Sequence, residues 1–535
     1  MNTFIFAIDG ATPRLIHDWI EQGHLPNLER ISKHGLSGKL KSTFPPLTGP
    51  AWASFQTGVN PGKHGVFNWL DLSESYQGRV INSSSIRTRT VWNLINRYGS
   101  KAGLLSLPVT YPPEEIDGFV VPGFMTPAED KEAGYPDQLA DSLFTEIPDF
   151  RHHPPFFAHN QEPGDWVNEL KRTIRKRGEA GRFLYKKYLN GEEPSTFTVH
   201  FFSTDHVQHK LWNRKGGEQD HRLEVFKETD KQIGKTMELA PEDTTFLVMS
   251  DHGFGPVEKI FNVNNWLHEK GLLKFKSNFG SRAKRKLAEI GLTQRNLKTI
   301  GDRLYPLAEK LGLISNFTTD PLTDEMLSTY FLSHKDVDWD RTAAYSRSDV
   351  GHVRINRKGR ERRGTIGKED YKDLRGEIIE SLRKVELPEE KKHLTSWVQP
   401  REKVYSGPFL NKAPDILFNP LPNKALGYGG VMFMSKNVFD LNSSFDPGHH
   451  RRDGVLLASG PTVQDGERDA DITDIAPTLL NLFNYPIPEQ MDGEVIREIA
   501  PDEPRYNRPK DFYRSRKVRA EFEDSREKLE NLGYL

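Results

Sequence analysis

Short apolar runs that stop at a polar switch recur along the chain. FIFAI (residues 4–8) stops at Asp9, FTVHFF (197–202) just before Asp205, and FLVM (246–249) just before Asp251. GVLLASG (454–460) has the same form. Unbroken runs of this length, rich in β-branched and aromatic residues, predict strands buried on both faces of a parallel sheet. Between them, VWNLINRYG (91–99) and ITDIAPTLLNLF (472–483) repeat apolar residues at helical spacing. Alternating strands and helices predict an α/β fold with a mainly parallel central sheet flanked by helices.

The carboxylates fall where such a sheet binds ligands. Asp9, Asp205 and Asp251 each stand at or just past the carboxyl end of an expected strand, the edge at which open α/β sheets carry their sites. The segment 256–340 breaks the pattern. Within it, KFKSNFGSRAKRKLAEIGLTQRNLKTIGDRL (274–304) is basic, with helical spacing. The expected organisation is a core over 1–255, a basic, largely helical insertion over 256–340 capping the sheet edge, the rest of the core over 341–500, and a charged helical tail over 501–535.

Composition removes several alternatives. The 74 basic and 75 acidic residues nearly cancel, so no global field draws the chain to nucleic acid. Lys284, Arg285 and Lys286 are the local basic cluster that could steer an anionic substrate. With no cysteine, disulfides, thiolate metal sites and a cysteine nucleophile are excluded. No apolar run reaches the ~18 residues of a membrane span. The start MNTFIFAIDG has no basic n-region and too short an apolar run for a signal peptide, so the expected location is the cytoplasm.

Four stretches carry candidate chemistry. In PPLTGPAW (45–52), Thr48 is placed to cap a helix, beside unpaired N–H groups that favour an alkoxide or a phosphate. In TDHVQHKLW (204–212), Asp205 and His209 are four apart and share one helix face, whereas His206 points elsewhere. In SDHGF (250–254), Asp251 and His252 follow a strand, with Gly253 expected to permit a sharp turn. In DPGHHRRDGVLLASGP (446–461), His449 and His450 follow a Pro-Gly turn. Carboxylates and imidazoles without thiolates suit zinc or manganese. The set is large enough for two ions, which about 4 Å apart can clamp the attacking and leaving oxygens of a phosphoryl displacement.

Taken in order, these pieces resemble the alkaline phosphatase superfamily. The nearest branch is the type I phosphodiesterase/nucleotide pyrophosphatases, and within it the predicted phosphohydrolase/phosphomutase group. The resemblance rests on FAIDG (6–10), PPLTGPAWASFQTGVNPGKHG (45–65), LPVTYPP (107–113), TDHVQH (204–209), VMSDHGF (248–254), GHVRINRKGRE (351–361), GHHRRDGVLLASGP (448–461) and DIAPTLLNLFNYPIPEQMDG (474–493). It implies an alkaline-phosphatase-like core and two divalent metal ions, zinc or manganese. Asp9, Thr48, Asp251 and His252 would hold one ion, and Asp205, His209 and His450 the other. It implies Thr48 as nucleophile, nine residues before Thr57 of QTG. Thr43 copies the diesterase T-F-P spelling but lies too far upstream. His450 is preferred to His449 because the family spells the motif G-x-H-R.

The chain departs from the diesterases at one position. Their Asn three residues after the nucleophile is Ala51 here, so the substrate phosphate is expected to use the Gly49 N–H or a basic side chain. The sulfatase branch is excluded, since neither Cys nor S-x-P-x-R surrounds Thr48. The resemblance therefore implies a phosphodiesterase for a small phosphoester, acting through phospho-Thr48. The alternatives are a phosphomutase or phosphotransferase on the same scaffold, and a non-catalytic phosphate-binding module.

Overall fold

The computed structural model describes residues 1–535 except 73–74, 77, 127–132, 158–160, 192, 213–219, 291–330, 349, 423, 430–432, 434, 443–446 and 515–535. Seven strands make the body of the main sheet. They are β1 (Asn2–Ile8), β2 (Leu36–Lys41), β3 (Lys101–Leu107), β4 (Gly118–Pro122), β5 (Ser195–Phe201), β6 (Thr244–Met249) and β7 (Asp453–Ser459). Their order is β2-β7-β6-β1-β5-β3-β4, extended beyond β2 by the short strands Gly466–Glu467 and Ala470–Asp471. The strands β6, β1, β5, β3 and β4 run parallel, with Asn2 level with both Ser195 and Thr244. The apolar run at 454–460 forms β7, which runs antiparallel between β2 and β6. Local composition predicts its burial but not its direction.

The unbroken apolar character of β1 follows from cover on both faces. Phe4, Phe6 and Ile8 enter one core, and Ile5 and Ala7 the other, as the two-residue period of a strand requires. Helices α3 (Pro163–Leu184) and α5 (His221–Met237) cover the first face. Helices α1 (Thr48–Thr57), α2 (Val91–Arg97) and α6 (Ile475–Leu482) cover the second. Helix α4 (Ser203–Leu211) follows β5 directly.

A third core gathers buried residues from Phe261 to Phe433, among them Trp266, Tyr345, Val353, Ile355, Ile416 and Phe418. Its sheet has the order Ala344–Tyr345, His352–Ile355, Ile416–Pro420, Thr395–Pro400. The expected boundary at residue 340 falls inside this core. Of the basic insertion, the helix Phe279–Glu289 is described, and 291–330 lie outside the described residues. Lys284 there sits 3.3 Å from Asp336, and Arg285 lies over Phe275. Of the expected helical tail, 501–514 contain no helix, and 515–535 are outside the described residues.

Candidate metal-dependent active site

The three aspartates stand side by side because β6, β1 and β5 are neighbours in the sheet. Asp9 follows β1, Asp251 follows β6, and Asp205 lies in the first turn of α4. The remaining pieces come from a small antiparallel pair. Gly253–Pro256 pairs with Gly448–Arg451, setting His450 opposite Phe254 and swinging it over the sheet edge. Gly253 makes this possible by close approach rather than by a special turn. A Cβ there would stand 2.1 Å from the Asp453 carbonyl oxygen. At Gly10 the need is conformational, since its φ is +72°.

Two ligand-like groups result, one of Asp9, Asp251 and His252 and one of Asp205, His209 and His450, all buried. A third acidic group, His17, Asp18 and Glu21, is surface-exposed along one helix turn. In the first group, His252 Nε2 lies 3.5 Å from Asp9 Oδ1, 3.2 Å from Asp251 Oδ2 and 3.3 Å from Thr48 Oγ1. In the second, His450 Nε2 lies 3.3 Å from Asp205 Oδ1 and 2.9 Å from His209 Nε2, and His209 Nε2 lies 3.6 Å from Asp205 Oδ1. The rings of His252 and His450 stack at 3.7 Å, so the two groups share a wall. His449 is left outside, its Nδ1 accepting from the His450 N–H. His206 packs on Phe202.

These residues fit cations. Asp9 Oδ1 and Asp251 Oδ2 are buried without a hydrogen-bond partner among the described residues. His252 Nδ1 lies 3.2 Å from the Gly253 carbonyl, and His450 Nδ1 lies 2.9 Å from that of Pro46. Donation by Nδ1 to those carbonyls leaves each Nε2 lone pair facing the carboxylates, the tautomer a metal ligand needs. Burial, then Asp251 and Asp205, pushes the Asp9 carboxyl well above its usual range. Burial and Asp205 do the same to Asp251. Burial, followed by His450, holds His252 neutral far below the usual imidazole range. Burial and then His449 and His209 do so for His450. Clustered acids that resist ionisation beside imidazoles that resist protonation are groups a positive ion would reconcile.

Thr48 departs from the capping expectation. The residue before the helix is Leu47, whose side chain makes no cap, and Thr48 is the first helical residue. Its hydroxyl is thereby turned to His252 instead of back to the helix. Gly49 follows, at a position where a helix N–H has no partner within the helix. Ala51 is buried in the second core, away from the site.

Sequence reasoning missed the residues that hold Asp9. Trp52 Nε1 donates to Asp9 Oδ2 at 3.2 Å, and His200 Nε2 lies 2.9 Å from the same oxygen. Thr204 Oγ1 donates to the Asp9 carbonyl and Gln208 Nε2 to that of Gly10. A signal existed for His200, the one histidine inside FTVHFF. Beside the second group opens a cleft of about 430 Å³ that reaches His449 and His450. Phe44, Trp397 and Leu426 wall it, with Arg14, Lys39 and Arg452 also lining it.

A sequence profile described as type I phosphodiesterase/nucleotide pyrophosphatase matches residues 3–425. The chain belongs to that family. It is thus a metal-dependent phosphoester hydrolase of the alkaline phosphatase superfamily. Among solved structures, alkaline phosphatase PafA is similar over 93% of this chain and 98% of its own, at 14% identity and a TM-score of 0.51. Human ectonucleotide pyrophosphatase/phosphodiesterase 5 covers 92% of this chain and 97% of its own, at 14% identity and 0.48. Phosphonoacetate hydrolase from Sinorhizobium meliloti 1021, in complex with phosphonoacetate, covers 88% and 93%, at 14% and 0.48. No curated protein matches. No helix of the described residues is long and apolar enough to cross a membrane.

Proposed function

We propose that this family member is a phosphodiesterase in which Thr48 is the nucleophile. Asp9, Thr48, Asp251 and His252 would hold one divalent ion and Asp205, His209 and His450 the other, with zinc or manganese suited to the donor set. Bound there, the ions supply Lewis-acid charge that lowers the Thr48 pKa and offsets the negative charge of the phosphoryl oxygens.

The chain's own groups do the rest. Thr48 Oγ1, fixed by the first turn of α1, loses its proton to solvent and attacks phosphorus in line, forming the Oγ1–P bond as the bond to the leaving alkoxide or phenoxide breaks. The Gly49 N–H, at the positive end of α1, donates to a phosphoryl oxygen. Water then attacks phosphorus of phospho-Thr48, breaking the Oγ1–P bond and restoring the hydroxyl. The observation that carries the reading is Thr48 Oγ1 at 3.3 Å from His252 Nε2, inside the first acidic group. The cleft beside His450, walled on part of its surface by Phe44, Trp397 and Leu426, supports a diester, because a second substituent on phosphorus needs a wall to lie against.

The test is hydrolysis of bis-p-nitrophenyl phosphate by wild type, Thr48→Ala and Thr48→Ser, with metal content measured. Thr48→Ala should lose at least about 10³-fold in kcat at unchanged metal content, and Thr48→Ser should keep most of the rate. Retention of more than a tenth of wild-type activity by Thr48→Ala removes the nucleophile assignment. Preference for p-nitrophenyl phosphate over the diester removes the diesterase reading.

A further inference from the structure

The motif GHVRINRKGRE is part of the family resemblance, yet none of it touches the two acidic groups. Most of it has a structural reason. Asn356 Nδ2 donates to the carbonyls of Trp339, Thr342 and Arg363, and Arg360 grips Asp415. Val353 and Ile355 fill the third core. The strand's two-residue period turns His352 and Arg354 to the opposite face, where both are nonetheless buried, at 4% and 5% exposure.

What they face is a cavity, not packing. Asn68, Asp71, Arg347, His352, Arg354 and Lys412 contribute its polar lining, around about 30 Å³ of water-accessible space. That is room for about two waters or one carboxylate. Among the described lining residues, Arg347, Arg354 and Lys412 are cationic and Asp71, 3.7 Å from Lys412, is the carboxylate. Arg354 Nη1 donates to the Lys412 carbonyl and Nη2 lies 3.7 Å from Glu361, leaving Nε without a partner among the described residues. His352 Nε2 is likewise buried and unpartnered among them. Burial, and then Arg354, lowers His352 to about 3. It is therefore neutral at physiological pH and can carry its proton on Nε2 to donate into the cavity. Desolvating a guanidinium and an imidazole with open hydrogen-bonding atoms is costly unless a ligand completes them.

The cavity also adjoins the reaction centre. Ile81 is one of its walls, and the Ile81 Cδ1 atom lies 3.0 Å from where a Cβ on Gly49 would stand. We propose that Arg347, His352, Arg354 and Lys412 form a binding site for a compact oxyanion of carboxylate size, separate from the two acidic groups. The oxyanion is either borne by the substrate or a free carboxylate. The substrate-borne case rests on the hydrolytic reading; the site itself does not.

Acetate is the probe, with chloride at equal ionic strength as control, on the full-length protein. The thermal midpoint of wild type should rise with acetate over chloride. His352→Gln and Arg354→Met should weaken the half-saturating acetate concentration at least about tenfold. Asp71→Asn should tighten it several-fold, a gain that a merely misfolded variant cannot produce. A parallel arm compares KM for 4-carboxyphenyl p-nitrophenyl phosphate and bis-p-nitrophenyl phosphate. If His352→Gln raises KM for the carboxylated diester alone, the oxyanion is substrate-borne. If it changes neither while the acetate response shifts, the ligand is a free carboxylate. An acetate response absent from wild type, or unchanged in His352→Gln and Asp71→Asn, overturns the site.

Discussion

Replacing Asp415 with Asn should be among the most damaging single changes outside the active site. The side chain is fully buried. It accepts from Arg360 Nη1 at 2.9 Å and Nη2 at 2.6 Å, from Tyr371 Oη at 2.8 Å and from the Ile355 N–H at 2.7 Å. Arg401 stands 3.3 Å away. Burial opposes ionisation of this carboxyl, but Arg360, and then Arg401 and Arg354, outweigh it and hold it below its ordinary 3.8. Asparagine keeps the shape, removes the charge, and aims an NH₂ at one of the donors. Arg360 then keeps only Glu361, at 2.7 Å, and Arg401 only Glu402, at 3.4 Å, as a carboxylate partner. Loss of one partner of a buried pair costs about 3–5 kcal/mol. The assay is a double-mutant cycle in urea, with Asp415→Asn, Arg360→Met and both together. The double variant should be more stable than the sum of the singles predicts, by at least about 2 kcal/mol. Sign and pH agree: the depressed carboxyl stabilises at pH above 3.8, and this contribution is lost as pH falls through the native value. A cost under about 1 kcal/mol, or strict additivity, would refute the account of the hub.

Three further outcomes follow from the site and its supports. In metal-stripped protein the raised Asp9 and Asp251 bind protons that the unfolded chain releases near 3.8, so their contribution to stability should be lost as pH rises from 3.8 through their native values; re-supplied zinc should flatten that slope in thermal melts. His64, whose Nε2 lies 3.0 Å from Ser54 Oγ, is lowered by burial to about 3. Only the unfolded chain gains this proton between 6.5 and 3, so stability should fall there by about 1.4 kcal/mol per pH unit; His64→Gln should reduce the slope in denaturant titrations. Trp52→Phe removes the indole N–H from Asp9 Oδ2, and metal affinity measured by competition with a chelator should weaken about 10–100-fold.

What was legible in the sequence was whatever a short window decides. The runs ending at Asp9, Asp205 and Asp251 announce strands, and the sheet needs no more than their adjacency to gather three carboxylates. The i, i+4 spacing of Asp205 and His209 is a property of one helix turn. Less legible were the long-range choices. Nothing within 454–460 says that β7 runs antiparallel, because both directions bury the same side chains. The third core was hidden because its strands are short, two to six residues, and one of them, His352–Ile355, carries His and Arg on one face. Thr48 looked like a cap because a hydroxyl before a helix usually is one. One residue of phase, which tertiary contacts with His252 decide, turns it into the site.

The place of β7 has a consequence for how the protein is made. It lies between β2 and β6, so during synthesis those two strands emerge with no neighbour on the sides that β7 will cover. About 200 residues separate Met249 from Ser459. At about 5–20 residues per second, the ribosome leaves both edges open for about 10–40 s. Exposed edges of this kind pair with other chains. A nascent chain stalled before residue 448, where the strand that carries His450 begins, therefore holds all three aspartates and Thr48 but neither a closed sheet nor His450. Such a chain is a substrate for chaperones, and activity can appear only after the last strand slides into a gap already built.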